Sequence, residues 1–258
     1  MPVATRDGAD LYYETAGEGP PVLLVGDLGF GAWQWGWQHA ALAGPHETVV
    51  PDLRGSGRSD APPGPYDLRT LTRDAAAVLD DAGRRSAHVV GRGLGGAVAL
   101  SLALHTGRVR SLTLLGTAAR ADGLDLSPLR ASPDDPDALR ESTAAALSAG
   151  FRDRQSDVVE RIVEWRGAED AGVDAWDAQR AALSGFDVRD RLHEVTVPAL
   201  VVHGDADALW PVERADRLAA DLPRGDRRVF DDAGHLVGVE ASRVVNDDLL
   251  GFLASVEE

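Results

Sequence analysis

The chemistry open to this chain is bounded by its side chains. It has no Cys, and all 26 of its basic residues are Arg. Thiolate nucleophiles, disulfides, Schiff bases and a P-loop lysine are therefore excluded. Proton transfer remains. A histidine with an ordinary pKa of about 6.5 takes and returns a proton near neutral pH. A carboxylate on its second ring nitrogen fixes the tautomer and stabilises the cation. Two segments bring these residue types: DDAGH, which ends on His235, and GDADALWP at 204–211, which holds Asp205 and Asp207. A histidine that follows a glycine is also an ordinary loop residue, so the pattern alone leaves both roles open. His39, His46, His88, His105 and His193 lie outside these segments and read as structural. His203, at a strand end before the acidic loop, reads the same way.

The elements that must position such groups are legible from the pattern. Short apolar runs at Asp10 to Thr15, Val22 to Val25, Thr48 to Val50, Ala87 to Val90, Val109 to Leu115, Ala199 to His203 and Arg227 to Phe230 read as strands, most of them too apolar to be half exposed. Helical patterns at Trp33 to Leu42, Leu68 to Ala82, Gly95 to His105, Val212 to Leu222 and Ala241 to Val256 fill the gaps. Alternation of this kind predicts an α/β fold with a mostly parallel central sheet flanked by helices. One gap differs. Between Leu115 and Ala199 lie about 80 residues, too many for an ordinary crossover. They open on SPLRASPDDPD and carry helical patterns over 137–149, 155–166 and 173–184, so they read as an inserted helical lid over the strand ends, where open α/β sheets bind ligands. The expected organisation is a core of 1–118 and 190–258 with a cap of 119–189.

Composition narrows the partners. A net charge of −16 repels phosphate backbones and acidic lipid surfaces. No run reaches the roughly 20 apolar residues of a membrane span, and MPVATRDGADLYYET is no secretory signal. The expectation is a soluble cytoplasmic protein, monomeric or homodimeric, that acts on a small molecule. No nucleic acid, membrane, metal or cofactor is expected.

The order of these elements, with PDLRGSGRSD at 51–60, GDADALWP at 204–211 and AGH at 233–235, resembles the α/β-hydrolase superfamily over nearly the whole chain. The resemblance implies that Asp207 is the catalytic acid residue and His235 the base, in the chain order nucleophile, acid, histidine. It also implies a side-chain nucleophile in the strand-to-helix turn of VVGRGLGGAVAL, residues 89–100. That position is Gly93. The family's glycines are kept and the nucleophile is missing. Ser56 lies in the PDLRGSGRSD loop and ALSAG at 146–150 lies in a helical pattern, so neither replaces it. Loss of the nucleophile costs a serine hydrolase on the order of a millionfold in turnover, roughly 8 kcal/mol, so acyl-enzyme catalysis through residue 93 is excluded.

The resemblance assigns the oxyanion and pocket region to Gly26, Asp27, Leu28, Arg92 and Leu94. A carboxylate at Asp27 is foreign to an oxyanion hole. It is paired with Arg92, or exposed, or a catalytic acid or base in its own right. All six tryptophans fall in regions that surround the family's active site. Trp33, Trp35, Trp165, Trp176 and Trp210 are the expected lining of a wide aromatic pocket, with core packing as the alternative for each.

Three functions fit these residues. The first is an enzyme that uses His235 and Asp207, with Asp27, for non-covalent acid and base chemistry on an apolar, aromatic or polyketide-like carbonyl metabolite: elimination, isomerisation, cyclisation or C–C cleavage. The second is a hydrolase of an ester, lactone or epoxide in which His235 activates water. The third is a ligand-binding or scaffolding protein that keeps the fold without the chemistry. A glycine substituted for serine in order to trap a ligand would look the same at residue 93. Intact acid and histidine loops favour the enzymes.

Overall fold

A computed structural model describes residues 2–257. Eight strands form one sheet in the order β1-β2-β4-β3-β5-β6-β7-β8. They are β1 Val3–Arg6, β2 Ala9–Ala16, β3 Pro21–Val25, β4 Glu47–Pro51, β5 Ala87–Arg92, β6 Val109–Leu115, β7 Ala199–Gly204 and β8 Gly225–Phe230. β2 runs antiparallel to β1 and β4, and every other pairing is parallel. The helices of the sheet layers are α1 Gly36–Leu42, α2 Leu68–Asp81 and α3 Leu94–His105, then α8 Val212–Asp221, α9 Val237–Glu240 and α10 Ser242–Glu257.

The unbroken apolar runs of the central strands follow from burial on both faces. Leu23, Val25, Val49, Val89, Leu112, Leu114 and Val201 join one core, while Val22, Leu24, Val50, Val90, Leu115, Leu200 and Val202 alternate into the other. α2 and α3 pack on the first side, and α10 closes the second with Val245, Leu249 and Leu253. α2 shows how one such helix is specified. Asp67 caps it by accepting the Thr70 amide, and Leu71, Ala75, Val78 and Leu79 form its buried stripe. α3 is buried along nearly its whole length, which explains its small, apolar composition.

Between β6 and β7 lie α4 Pro136–Ala146, α5 Ala149–Arg154, α6 Ser156–Glu169 and α7 Val173–Ala181. They pack on loops at the strands' C-terminal ends. Gln179 of α7 accepts the Gly29 amide after β3 and donates to Arg54 O and Ser56 Oγ after β4. Asp170 accepts the Gly31 amide and the Trp33 indole N–H, and Arg166 holds Asp170 from the preceding turn. At the far side the Leu236 amide donates to Ala146 O. No helix among the described residues is long and apolar enough to cross a membrane.

Candidate active site

The turn from β5 into α3 sets the geometry. Gly93 sits at φ +49° and ψ −113°, a conformation that favours glycine, and the Leu94 amide opens the helix behind it. A Cβ on Gly95 would stand 2.5 Å from Gly26 O, so β3 and α3 can approach this closely only without one. This strand-to-helix turn, the elbow, carries no side chain at residue 93, and the space one would take is filled from elsewhere.

The replacement is Asp27, two residues beyond β3. Its Oδ1 accepts the Leu28 amide at 2.7 Å and the Leu94 amide at 2.8 Å. Its Oδ2 lies 2.6 Å from His235 Nε2. A Cβ on Gly93 would sit 2.5 Å from Oδ2 and closer still to Cγ and Oδ1, so this carboxylate and a side chain at residue 93 exclude one another. The expected pairing of Asp27 with Arg92 is not what the structure has: Arg92 makes no salt bridge among the described residues, and its guanidinium instead stacks on Trp35 at 4.8 Å. The reason is direction. Consecutive strand residues point to opposite faces, and Arg92, the last residue of β5, joins Trp35, which belongs to the second core.

His235 lies between two carboxylates. Its Nδ1 is 2.8 Å from Asp207 Oδ2, opposite the Asp27 contact. Asp207 Oδ1 accepts the Leu209 and Trp210 amides, which aims Oδ2 at the imidazole. Burial alone would lower the His235 pKa, but Asp207 and Asp27 outweigh it and push it up to about 10. The pull of Asp207 and Asp27 thus favours a protonated ring, with Nδ1 facing Asp207 and Nε2 facing Asp27. Burial likewise opposes ionisation of Asp207, yet the charges and hydrogen bonds of His235 and His203 hold it well below the usual carboxylate range. Asp27 and His235 are each only 1 % exposed, so the centre is closed to solvent.

Three supporting residues were not recognised in the sequence. His203, read there as structural, donates Nε2–H to Trp210 O at 2.7 Å and stands 3.3 Å from Asp207 Oδ2. Its place four residues before Asp207, at the end of β7, was the available signal. Glu240 had none. Its carboxylate accepts the Gly234 and Ser148 amides and the Ser148 hydroxyl, tying the histidine loop to the insertion. Gln34 is a third: its Oε1 accepts the Asp27 amide at 3.1 Å.

The tryptophans do not gather over His235. A cavity of about 390 Å³ has Trp33 and Trp35 in its lining, and another of about 410 Å³ has Trp33, Trp37 and Trp165; neither is lined by Asp27, Gly93 or His235. Trp210 is fully buried, and Trp176 packs against Gly29. Tryptophan is apolar enough to serve as core, and these positions use it so. Gly26 completes the oxyanion segment, with Gln34 Nε2 and Trp35 Nε1 beside it. Among the described residues no group of three or more His, Asp or Glu could hold a metal ion.

Comparisons with known proteins agree with this geometry at the level of the fold. Residues 20–242 match the model of a family described as the alpha/beta hydrolase fold. RutD of Azorhizobium caulinodans, whose name assigns it carbamate hydrolysis, is 33 % identical over the full length of both chains. A 3-oxoadipate enol-lactonase of Acinetobacter baylyi is 25 % identical over 99 % of this chain and 97 % of its own. The crystal structure of an enol-lactonase from Burkholderia xenovorans superposes with a TM-score of 0.87 at 26 % identity, covering 98 % of this chain and all of the other.

Proposed function

We propose that this chain, which belongs to the α/β-hydrolase fold family, is an enzyme that works by proton transfer without a covalent intermediate, with Asp27 as its reacting carboxylate. The observation that carries this reading is the occupancy of the hole. In acyl transfer the two amides next to the elbow must hold the substrate's oxyanion; here the Leu28 and Leu94 amides hold Asp27 Oδ1. With no side chain at Gly93 and its donors engaged, the centre keeps a proton to move and little else.

The chemistry runs along one line of atoms. His235 stores a proton between Asp207 and Asp27. Passing it from Nε2 to Asp27 Oδ2 turns the carboxylate into a carboxylic acid that can protonate a leaving group or an enolate. In the reverse sense, once the ring has given up that proton, Asp27 takes one from carbon or oxygen and returns it to the vacant Nε2. Asp207 keeps its charge throughout and orients the imidazole. Such a pair suits elimination, isomerisation, cyclisation or C–C cleavage of an apolar carbonyl metabolite and needs no cofactor. Substrate reaches the buried centre when the insertion's contacts at Gly29 and Ser148 part.

A second reading draws on the relatives' names, which specify carbamate and enol-lactone hydrolysis. There Asp27 would withdraw, the two amides would receive the substrate carbonyl, and His235, relieved of one carboxylate, would activate water. Both readings use His235. The test is conversion of a panel of aryl ketones, β-hydroxy carbonyls, lactones and carbamates, followed by mass spectrometry. His235→Ala should lose at least about 10²-fold in turnover. Equal conversion by both proteins would remove His235 from the mechanism, and an acyl adduct on intact protein would refute the non-covalent route.

A further inference from the structure

The cavity of about 390 Å³ that Trp33 and Trp35 border lies apart from His235 and has an acidic lining. Glu14 of β2, Asp52 in the loop after β4 and Glu169 at the end of α6 bring three carboxylates to it, and Arg58 brings one guanidinium. His39, also in the lining, is engaged through Nδ1 with Thr48 Oγ1 at 2.9 Å. The volume suits a small molecule. Exposed carboxylates alone would be an ordinary solvated face, but one of these is not exposed.

Asp52 is 6 % exposed. Its Oδ2 accepts the Arg58 amide at 2.9 Å, while Oδ1 makes no hydrogen bond among the described residues. Gly57 makes this placement possible, since a Cβ on it would stand 2.5 Å from Oδ1. A buried carboxylate oxygen left without a donor is costly. Burial accordingly pushes the Asp52 carboxyl up, beyond what the Arg58 and Ala32 amides and the Arg58 charge pull back. Arg58 goes only part of the way because its guanidinium turns outward, over the Tyr12 ring at 4.6 Å and onto Glu14 at 3.2 Å. Glu169 spends Oε2 on the Trp33 amide at 2.8 Å; burial pushes its carboxyl up as well, and the charge of Asp52 adds to the effect. The cavity therefore lacks a positive charge that carries its own hydrogen-bond donors. Among the described residues no group of three or more His, Asp or Glu could hold a metal ion. A primary ammonium supplies both the charge and three N–H donors, and indole rings favour a cation over a neutral molecule of the same shape.

We propose that this cavity binds a primary alkylammonium, whose nitrogen donates to Asp52 Oδ1 and shares the charge of Glu169 while its alkyl chain lies along Trp33 and Trp35. The site excludes Asp27, Gly93 and His235, so the proposal stands or falls independently of the reaction assigned above.

The experiment is titration with n-butylammonium at constant ionic strength, beside n-butanol, tetramethylammonium and calcium, followed by ¹⁵N NMR of the Trp33 and Trp35 indole N–H signals. A chain of net charge −16 attracts any cation weakly, so Asp226→Asn, an exposed position on β8 at the opposite side of the sheet, serves as the control. n-Butylammonium should shift both indole signals saturably. n-Butanol, which lacks the charge, and tetramethylammonium, which lacks the N–H groups, should each bind at least about tenfold more weakly. Asp52→Asn should raise the Kd of n-butylammonium at least about tenfold, Glu169→Gln should raise it too, and Asp226→Asn should leave it unchanged. If Asp52→Asn does not fold, Glu169→Gln decides. The proposal is overturned by any of four results: no saturable shift, equal binding of n-butanol or tetramethylammonium, tighter binding of calcium at the same signals, or the same loss in Asp226→Asn as in the cavity variants.

Discussion

Restoring a serine to the elbow is the perturbation the structure constrains most tightly. Gly93→Ser places a Cβ 2.5 Å from Asp27 Oδ2, nearer still to Oδ1, on a backbone with φ +49°. The new side chain fits only if Asp27 leaves. The backbone term is about 1–2 kcal/mol for an L-residue in a left-handed conformation. Displacing Asp27 breaks a buried charge pair, worth about 3–5 kcal/mol when one partner is lost. The sum, roughly 4–7 kcal/mol, is a large part of the 5–15 kcal/mol that typically holds a domain together. In an Asp27→Gly background only the backbone term is left, so the two substitutions should couple by about 3 kcal/mol in a double-mutant cycle. The assay is urea unfolding at pH 7 with p-nitrophenyl acetate turnover on the same samples. Gly93→Ser alone should give no burst. Combined with Asp27→Gly, which frees the Leu28 and Leu94 amides, it should give weak, burst-phase esterase activity. A single Gly93→Ser variant that costs under about 1 kcal/mol, or two substitutions that add without coupling, would refute the steric exclusion on which this rests.

Because the folded pKa of His235 is raised from 6.5 to about 10, its contribution is complete below pH 6.5 and is lost as pH climbs to about 10; denaturant midpoints should fall over that window, and fall less in Asp27→Asn. Asp207, held below its ordinary value of 3.8, contributes above that value, and its share should disappear as the solution is acidified beneath it, with Asp207→Asn abolishing the acid limb. His203→Ala should leave the fold intact but raise the pH at which His235 titrates in a ring ¹⁵N experiment, since Asp207, ionised throughout that range, turns more of its charge on the imidazole when its second partner is gone. Glu240→Ala removes a carboxylate that accepts three hydrogen bonds and should cost about 2–4 kcal/mol in urea unfolding, with faster amide exchange at Gly234 and Ser148.

Much of the sheet was readable because burial on both faces writes itself as continuous apolar runs. β6 was expected at Val109 to Leu115 and is found there, and β3, β4, β5 and β7 differ from expectation only by a residue or two at their ends. β1 escaped notice: VATR is four residues long, at the sheet edge, with only Ala4 buried, too short and polar for a pattern. The insertion's helices were legible from their period, except that α5, a six-residue turn of AGFRDR, carries no stripe. At the site, the loops of Asp207 and His235 foretold the contact between them, and the absence of a side chain at Gly93 was plain. That Asp27 fills the vacancy was not, because it depends on two strands lying side by side and on a rotamer reaching across from β3 to the elbow of β5. Where the tryptophan rings stand was not legible either, because closeness in sequence to site loops does not say which face of an element a ring takes.

In the proposed chemistry Asp27 is the reacting carboxylate rather than a plug that must be withdrawn. The most direct measurement is turnover of the carbonyl panel by Asp27→Asn beside the unmodified protein at pH 7, with folding verified on the same samples. The amide keeps an oxygen for the Leu28 and Leu94 amides but cannot exchange a proton at Oδ2, so conversion should fall at least about 10²-fold. Turnover equal to or greater than that of the unmodified protein would contradict the claim and show that Asp27 restrains the centre.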